Sequence, residues 1–383
     1  MKIPLAWLQL THEKVRLLVA LAGITFADVL MFMQLGFRDS LYDSAIRLHR
    51  NIEGDIFLLS PQSTSLISMN SFSERRLHQA FALDGVQSVS KIYLGIAILK
   101  NPIKRNTRNI LVVGINPEDR ILNLPGLEEN LDKIKLSDVV LFDNKSRQEF
   151  GPIAQMFSQG QTVSTEVNRR KITVKGLFNL GTSFGADGTI VTSDLNFLRI
   201  FSRRQSGLID VGVIKVKPGM DTGIILQQLR QELAGGDVNI FLREEFIAHE
   251  QNYWKTRTAI GFIFTLGTGM GFIVGMVIVY QVLYTDVADH LPEYATLKAI
   301  GYTDIYLLTL VLQQAVILGC IGYLPGYLLT LFLYYNAANA TGLPIIMTLS
   351  RAIVVLVLTV SMCFISGGIA VGKLRSADPA DIF

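Results

Sequence analysis

The stretch that decides the fold is Thr258-Ala-Ile-Gly-Phe-Ile-Phe-Thr-Leu-Gly-Thr-Gly-Met-Gly-Phe-Ile-Val-Gly-Met-Val-Ile-Val-Tyr-Gln-Val-Leu-Tyr-Thr285, which contains no charged side chain. At ~1.5 Å of rise per residue, a helix of this length exceeds the ~30 Å hydrocarbon core of a bilayer. Three more runs share its character: 17–37, with Asp28 as its one charge, and the charge-free runs 305–350 and 352–372. The 305–350 run could hold two spans by length. Asn336, Asn339, Thr341, Gly342 and Pro344 cluster near its end, however, so it reads as one helix over 305–334, kinked at Pro325-Gly326, and a loop over 335–351. Four spans, at 17–37, 258–285, 305–334 and 352–372, place both termini on one side.

The composition agrees. Of 383 residues, 50% are hydrophobic and 17% charged, against about 25% charged in a soluble protein. Residues 38–257 hold 28 of the 35 Lys+Arg and 24 of the 32 Asp+Glu. A net charge of +3 spread in this way leaves no basic stripe, so nucleic-acid binding has no electrostatic footprint. Lys2, Lys14 and Arg16 precede the first span as they would a signal peptide, but no small-x-small cleavage site follows and the run reads as an uncleaved anchor. In the amphipathic segment 1–16, Pro4, Leu5, Trp7, Leu8 and Leu10 fit either a helix lying on the membrane surface or a frayed start to the first span. Counting Lys and Arg beside the spans gives a tie: Lys2, Lys14, Arg16, Lys298, Lys373 and Arg375 on one side, Arg38, Arg47, Arg50, Lys255, Arg257 and Arg351 on the other. The charge rule therefore does not orient the chain. Cys320 and Cys363 both fall in spans, so no disulfide reports the compartment of residues 38–257.

Residues 38–257 alternate like an α+β domain. Strands are expected at 55–59, 90–99, 109–114, 139–142, 162–167, 171–178, 189–192, 210–216 and 238–241, and helices at 73–83, 144–150, 194–201 and 221–233. A division into a membrane-nearer part and an outer insertion over 100–205 is expected. Helix formers run through Arg38–Arg50 and through Arg243–Arg257 without Gly or Pro. Both spans beside the domain are thus expected to extend into it as rigid helical stalks.

Few motifs carry chemistry. Gly367-Gly-Ile-Ala-Val-Gly372-Lys373-Leu374 approaches a phosphate-binding loop but ends in Leu and sits in a span. The five histidines lack metal-ligand spacing. No catalytic or metal residues are assigned, and no cofactor is expected on this chain. Gly267, Gly271 and Gly275 share one helix face, suited either to packing within the subunit or to a dimer contact. Asp28 lies mid-span, where an ionised carboxylate costs at least ~2.5 kcal/mol, so it is expected to pair with a neighbouring helix, for example with Gln313 or Gln314. Between the second and third spans, Pro292 suits a first helical position, Glu293 a first turn, Lys298 a last turn and Gly301 a helix stop. The segment 286–304 thus reads as a short capped helix shaped to dock on another protein, with Tyr294 and Leu297 as apolar anchors and Glu293 and Lys298 as its rim.

Glu293-Tyr-Ala-Thr-Leu-Lys-Ala-Ile-Gly301 resembles the E-x-x-x-L-[RK]-A-x-G coupling segment of FtsX/MacB-type permeases of ATP-binding-cassette systems. The closing Leu374-Arg-Ser-Ala-Asp-Pro-Ala-Asp-Ile382 is similar to their C-terminal tail. Their order of one span, a large extracytoplasmic domain and three spans matches the whole chain. Within that group, Ala22–Phe37 and His290–Tyr302 are similar to the DevC permeases of cyanobacteria. The resemblance implies a MacB/FtsX-like fold of the mechanotransmission (type VII) kind, homodimerisation, cytoplasmic termini and a periplasmic 38–257 domain in the inner membrane. It also implies a separate ATPase (DevA-like) that holds the ATP and magnesium, a periplasmic adaptor (DevB-like), a TolC-like outer-membrane channel, and a link to glycolipid export. Lipoprotein release of the LolCE type or control of cell-wall hydrolases stands as a same-family alternative. A membrane sensor would need a cytoplasmic output domain, and a secondary transporter would rest on Asp28 alone.

Overall fold

The computed structural model describes residues 13–375. The expected surface helix around Trp7 and the tail beyond Arg375 lie outside the described residues. The described residues divide into two units: one of helices (13–40, 259–340 and 345–375) and one α+β (41–258 with 341–344).

The first helix, α1 (Lys14–Ala45), is a single 32-residue element. It ends at Ile46, and one further turn, α2 (Arg47–Arg50), follows. The α+β unit then runs β1 (Ile56–Leu59), β2 (Phe72–Ser73), α3 (Arg75–Phe81), β3 (Val86–Lys100), β4 (Thr107–Ile115), β5 (Val139–Asp143), α4 (Ile153–Ser158), β6 (Val163–Val167) and β7 (Arg170–Phe178). After these come β8 (Thr189–Ser193), α5 (Asp194–Ile200), β9 (Leu208–Ile209), β10 (Val211–Val216), α6 (Thr222–Glu232), β11 (Asn239–Leu242) and α7 (Arg243–Asn252). A 3₁₀ segment at Glu128–Lys135 has no counterpart in the sequence expectation, and the helix expected at 144–150 is a 3₁₀ turn, Gln148–Phe150, followed by α4.

Nine strands form one mixed sheet in the order β11-β1-β10-β3-β4-β8-β5-β7-β6. Pairings β4–β8 and β5–β7 are parallel. The order sets β1, β10 and β11 on one side of the 15-residue β3 and β4–β8 on the other, so the parts on either side of the expected 100–205 division share one sheet. The first half of β3 pairs with β10 through Val211↔Ile92, and its second half pairs with β4 as far as Lys100↔Thr107. The sheet curls until β6 meets β3 again at Leu99↔Val167. Both faces are covered. Ile56, Leu58, Val112 and Ile190 pack under α3, α5 and α6, while Phe57, Leu59, Val113 and Val191 face Leu131, Ile134 and Phe246. A strand buried on both faces shows little alternation, as in the fully buried β1 and β8.

The stalk expected over 243–257 is not one α-helix. After α7 the chain widens into a π turn at Tyr253–Arg257 and straightens at Thr258 (φ −117°, ψ 152°) before α8 (Ala259–Asp289). At this turn the Thr256 and Thr258 hydroxyls donate to the Asn252 and Trp254 carbonyls, both at 2.7 Å. Trp254 is meanwhile drawn into the domain. Three more helices follow: α9 (Leu291–Ala299), α10 (Asp304–Thr341) and α11 (Leu349–Arg375). Helix α10 passes the expected stop at 334 because Ala337, Ala338 and Ala340 sustain it, and Asn336 donates its amide to the Phe332 carbonyl at 2.8 Å. It ends only before Gly342 (φ +71°), so the expected 335–351 loop shrinks to 342–348. The Gly-Lys run at 367–373 lies inside α11.

Candidate functional site

Helix α9 is held at both ends by its own sequence. His290 separates it from α8, and the His290 ring Nδ1 lies 2.9 Å from the Asp286 carbonyl. Pro292 occupies the first turn, where a missing N–H costs nothing. At the other end Gly301 takes φ +104°. The Tyr302 amide donates to the Leu297 carbonyl at 3.1 Å and the Gly301 amide to Lys298 at 2.9 Å, which is the Schellman arrangement.

A polar cluster fixes the α8 end of this helix. Arg16 on α1 contacts Asp289 at 2.5 Å and Asp286 at 3.6 Å. Buried Gln314 on α10 donates to Asp286 at 3.4 Å. These contacts tie the last turn of α8, one residue before α9, to the first turn of α1 and to α10. In the sequence Arg16 counts only as a flanking positive and Asp286 only as a segment boundary. The i, i+3, i+4 set Asp286, Asp289 and His290 was the signal available.

Of the two expected apolar anchors, Tyr294 is turned inward and Leu297 is partly exposed. Tyr294 is 1% exposed and packs on Val287, Leu307, Leu310, Val311 and Val371, with Leu297 partly buried against the same cluster. The reason is the helical period: Tyr294 and Leu297 are three residues apart, on the stripe that faces the neighbouring spans. The outward face carries Pro292, Glu293, Thr296 and Ile300, and Ile300 is 71% exposed. Lys298 is half-buried.

The glycine face packs within the chain. A Cβ at Gly267 would meet Gln34 at 2.5 Å, one at Gly271 would meet Met31 at 3.1 Å, and one at Gly275 would meet Met362 at 2.5 Å and Ala27 at 2.7 Å. Asp28, fully buried, does not pair with Gln313 or Gln314. It accepts a hydrogen bond from Thr359 on α11, and Gly326 leaves room for it on α10. Gln313 faces outward.

Within the α+β unit, α7 is anchored by Glu250. Its two oxygens accept from the Leu66 amide and the Trp254 indole, both at 2.8 Å, and His49 lies 3.6 Å away. Burial pushes the Glu250 carboxyl up to about 7 against the pull of its two donors. Burial, with His249 nearby, pushes the His49 imidazole down to about 3.

Residues 263–379 match the family described as FtsX-like permease C-terminal, a segment that contains α9 and most of three spans. No curated protein sequence matches the chain. Among solved structures, the periplasmic region of MacB from Actinobacillus actinomycetemcomitans is similar at 13% identity and TM-score 0.37, covering 53% of this chain and 95% of that one. The extracellular domain of the noncanonic ABC-type transporter YknZ from Gram-positive bacteria is similar at 12% identity and TM-score 0.34, covering 49% and 98%. Likeness this loose adds nothing to the fold, which rests on the strand order and helices above.

Proposed function

We propose that this chain is the permease subunit of an ATP-binding-cassette exporter. A separate ATPase docks on the outward face of α9, and its closure is converted into movement of the 41–258 domain. The observation that carries this reading is α9 itself, a nine-residue helix capped at its C-terminal end and joined to two spans by a few residues, with Ile300 left exposed beside it. Similarity of 263–379 to the FtsX-like permease C-terminal supports it.

In this proposal the termini are cytoplasmic and the α+β domain is periplasmic. Two copies associate, and cargo of the glycolipid class is passed to an adaptor and a TolC-like channel. Force enters at α9 and crosses the Arg16–Asp286–Asp289 contacts into α1. The unbroken helix Lys14–Ala45 is the stiff path outward, and the turn at Tyr253–Thr258 acts as a hinge. Cargo does not cross between the four helices, because Gly271, Gly275 and Gly326 close the contacts and Asp28 is buried against Thr359.

Reconstitution of the full chain with its ATPase tests the proposal. ATP hydrolysis should respond to the permease, and Arg16→Ala should weaken that response while ATPase binding persists. An ATPase that neither binds the permease nor responds to it would refute the reading.

A further inference from the structure

Two concavities on the α+β unit, of about 370 and 910 Å³, adjoin along the line where β3 meets β6 and share Lys100, Glu166 and Arg169. Their cations are far more numerous than their anions. Glu166 is the one carboxylate in either lining and is engaged by Lys100 at 3.1 Å, while Arg204 is held by Asp210 at 2.6 Å. Arg105, Arg169, Lys171 and Arg203 remain, with no carboxylate partner among the described residues.

Two of these arginines occupy backbone positions that disfavour them. Asn168 and Arg169, the two-residue turn between β6 and β7, have φ +48° and +65°. That sign pattern normally selects Asn-Gly, because a side chain at the second position crowds the backbone. Arg105 has φ +61° in the β3–β4 turn, where the Asn101 side chain accepts the Ile103 and Lys104 amides. Asn168 in turn accepts the Ile98 amide at 2.9 Å, pinning the second turn to β3. Glycine would relax both turns, yet both carry a guanidinium that lines the same concavity.

The larger concavity has an apolar side, formed by Ile98, 52% exposed, with Ile200 and Phe201. A single ligand can therefore lay a charged group against Arg105, Arg169 and Lys171 and an alkyl chain along Ile98 and Phe201. We infer that this groove binds an anionic amphiphile, a lipid with a phosphate-bearing headgroup. The guanidinium forks match phosphate oxygens. The inference does not depend on the transport reading, since it concerns binding alone.

A dye on Ser202→Cys, in a full-length chain with Cys320→Ala and Cys363→Ala, reads the groove locally because Ser202 lines it. In neutral micelles the dye should respond saturably to lysophosphatidylglycerol, at least tenfold more tightly than to lysophosphatidylcholine or glycerol 3-phosphate. Arg105→Gly with Arg169→Gly should weaken that binding at least tenfold at an unchanged or higher Tm, since glycine suits both turns. Lys171→Gln with Arg203→Gln should weaken it without altering either positive-φ turn, and Ile98→Ser should reduce it to the level of glycerol 3-phosphate. Equal binding of the choline lipid, equally tight glycerol 3-phosphate, or tight polyglutamate with weak lipid would overturn the inference, the last pointing to an acidic protein. Unchanged binding in the arginine double variant would also overturn it.

Discussion

Truncating Ile300 to alanine should weaken association with the ATPase subunit between ten- and twentyfold while leaving the permease folded. The side chain is 71% exposed, so docking can remove most of it from water. Ile→Ala deletes three carbons at about 0.8 kcal/mol each when buried. Scaled by that exposure, the loss is roughly 1.7 kcal/mol, and 1.4 kcal/mol is a factor of about ten in affinity. Leu297→Ala should behave differently. Leu297 packs with Tyr294 against Leu307 and Val371, so the change opens space inside the helical unit. At about half of the ~2–5 kcal/mol typical of a fully buried Leu→Ala, it should lower thermal stability and affect ATPase binding only through the helix it loosens. The assay is titration of purified ATPase onto nanodisc-held permease, with melting curves for each variant. Ile300→Ala binding within twofold of the parent, with Leu297→Ala abolishing association at unchanged Tm, would refute the assignment of faces on α9.

Other expectations test separate parts of the structure. A cysteine at Ser202 should react with an impermeant reagent from outside the cell and one at Thr296 should not; the reverse pattern would invert the orientation and the proposed mechanism. Glu250 rises from 4.5 to about 7 on folding, and at 1.36 kcal/mol per unit this is about 3 kcal/mol. Its protonated form is the one the fold favours, so this contribution is full below about 4.5 and lost as pH rises through about 7. Against Glu250→Gln, the parent should therefore lose about 3 kcal/mol between pH 4.5 and 8, followed by Trp254 fluorescence in denaturant. His49, depressed from 6.5 to about 3, acts with the opposite sign, and its loss of stability on acidification through that range should persist in both proteins. Gly275→Leu, whose Cβ would sit 2.5 Å from Met362 Sδ, should destabilise the bundle by about 1–3 kcal/mol, whereas a Cβ at Gly269 would meet nothing within 4 Å and Gly269→Leu should be tolerated; equal melting temperatures would undo the packing account. Asp28→Asn keeps an acceptor for Thr359 and should leave ATP-driven transport unchanged, so a proton-coupled mechanism would be indicated by its loss.

Hydropathy and periodicity by themselves marked four long apolar helices, the nine strands of the main sheet and a short helix at 292–300, one residue from the observed Leu291–Ala299, because each is a local property of burial and backbone preference. The Pro292 start and the Gly301 stop were legible for the same reason: capping is settled within a few residues. Pairing was not legible. That β3 joins both halves of one sheet depends on contacts such as Val211↔Ile92, between residues distant in sequence, and alternation states which residues face inward but not against what. The same limit governs the site. The pattern that made Tyr294 and Leu297 look like anchors is an apolar stripe, and only the position of α10 and α11 decided that the stripe faces the protein's own helices, leaving Ile300 outside. Asp28 carried a demand for a partner in its sequence context, but Thr359, 331 residues away, was chosen by how α1 and α11 pack. The stalk at 243–257 lacks any helix-breaking residue type, so its π turn at Tyr253–Arg257, beside the buried Trp254, had no local signal. Local preference is set by neighbours in the chain; which of two permitted faces or partners is used is set by the free energy of packing, which exists only once distant segments meet.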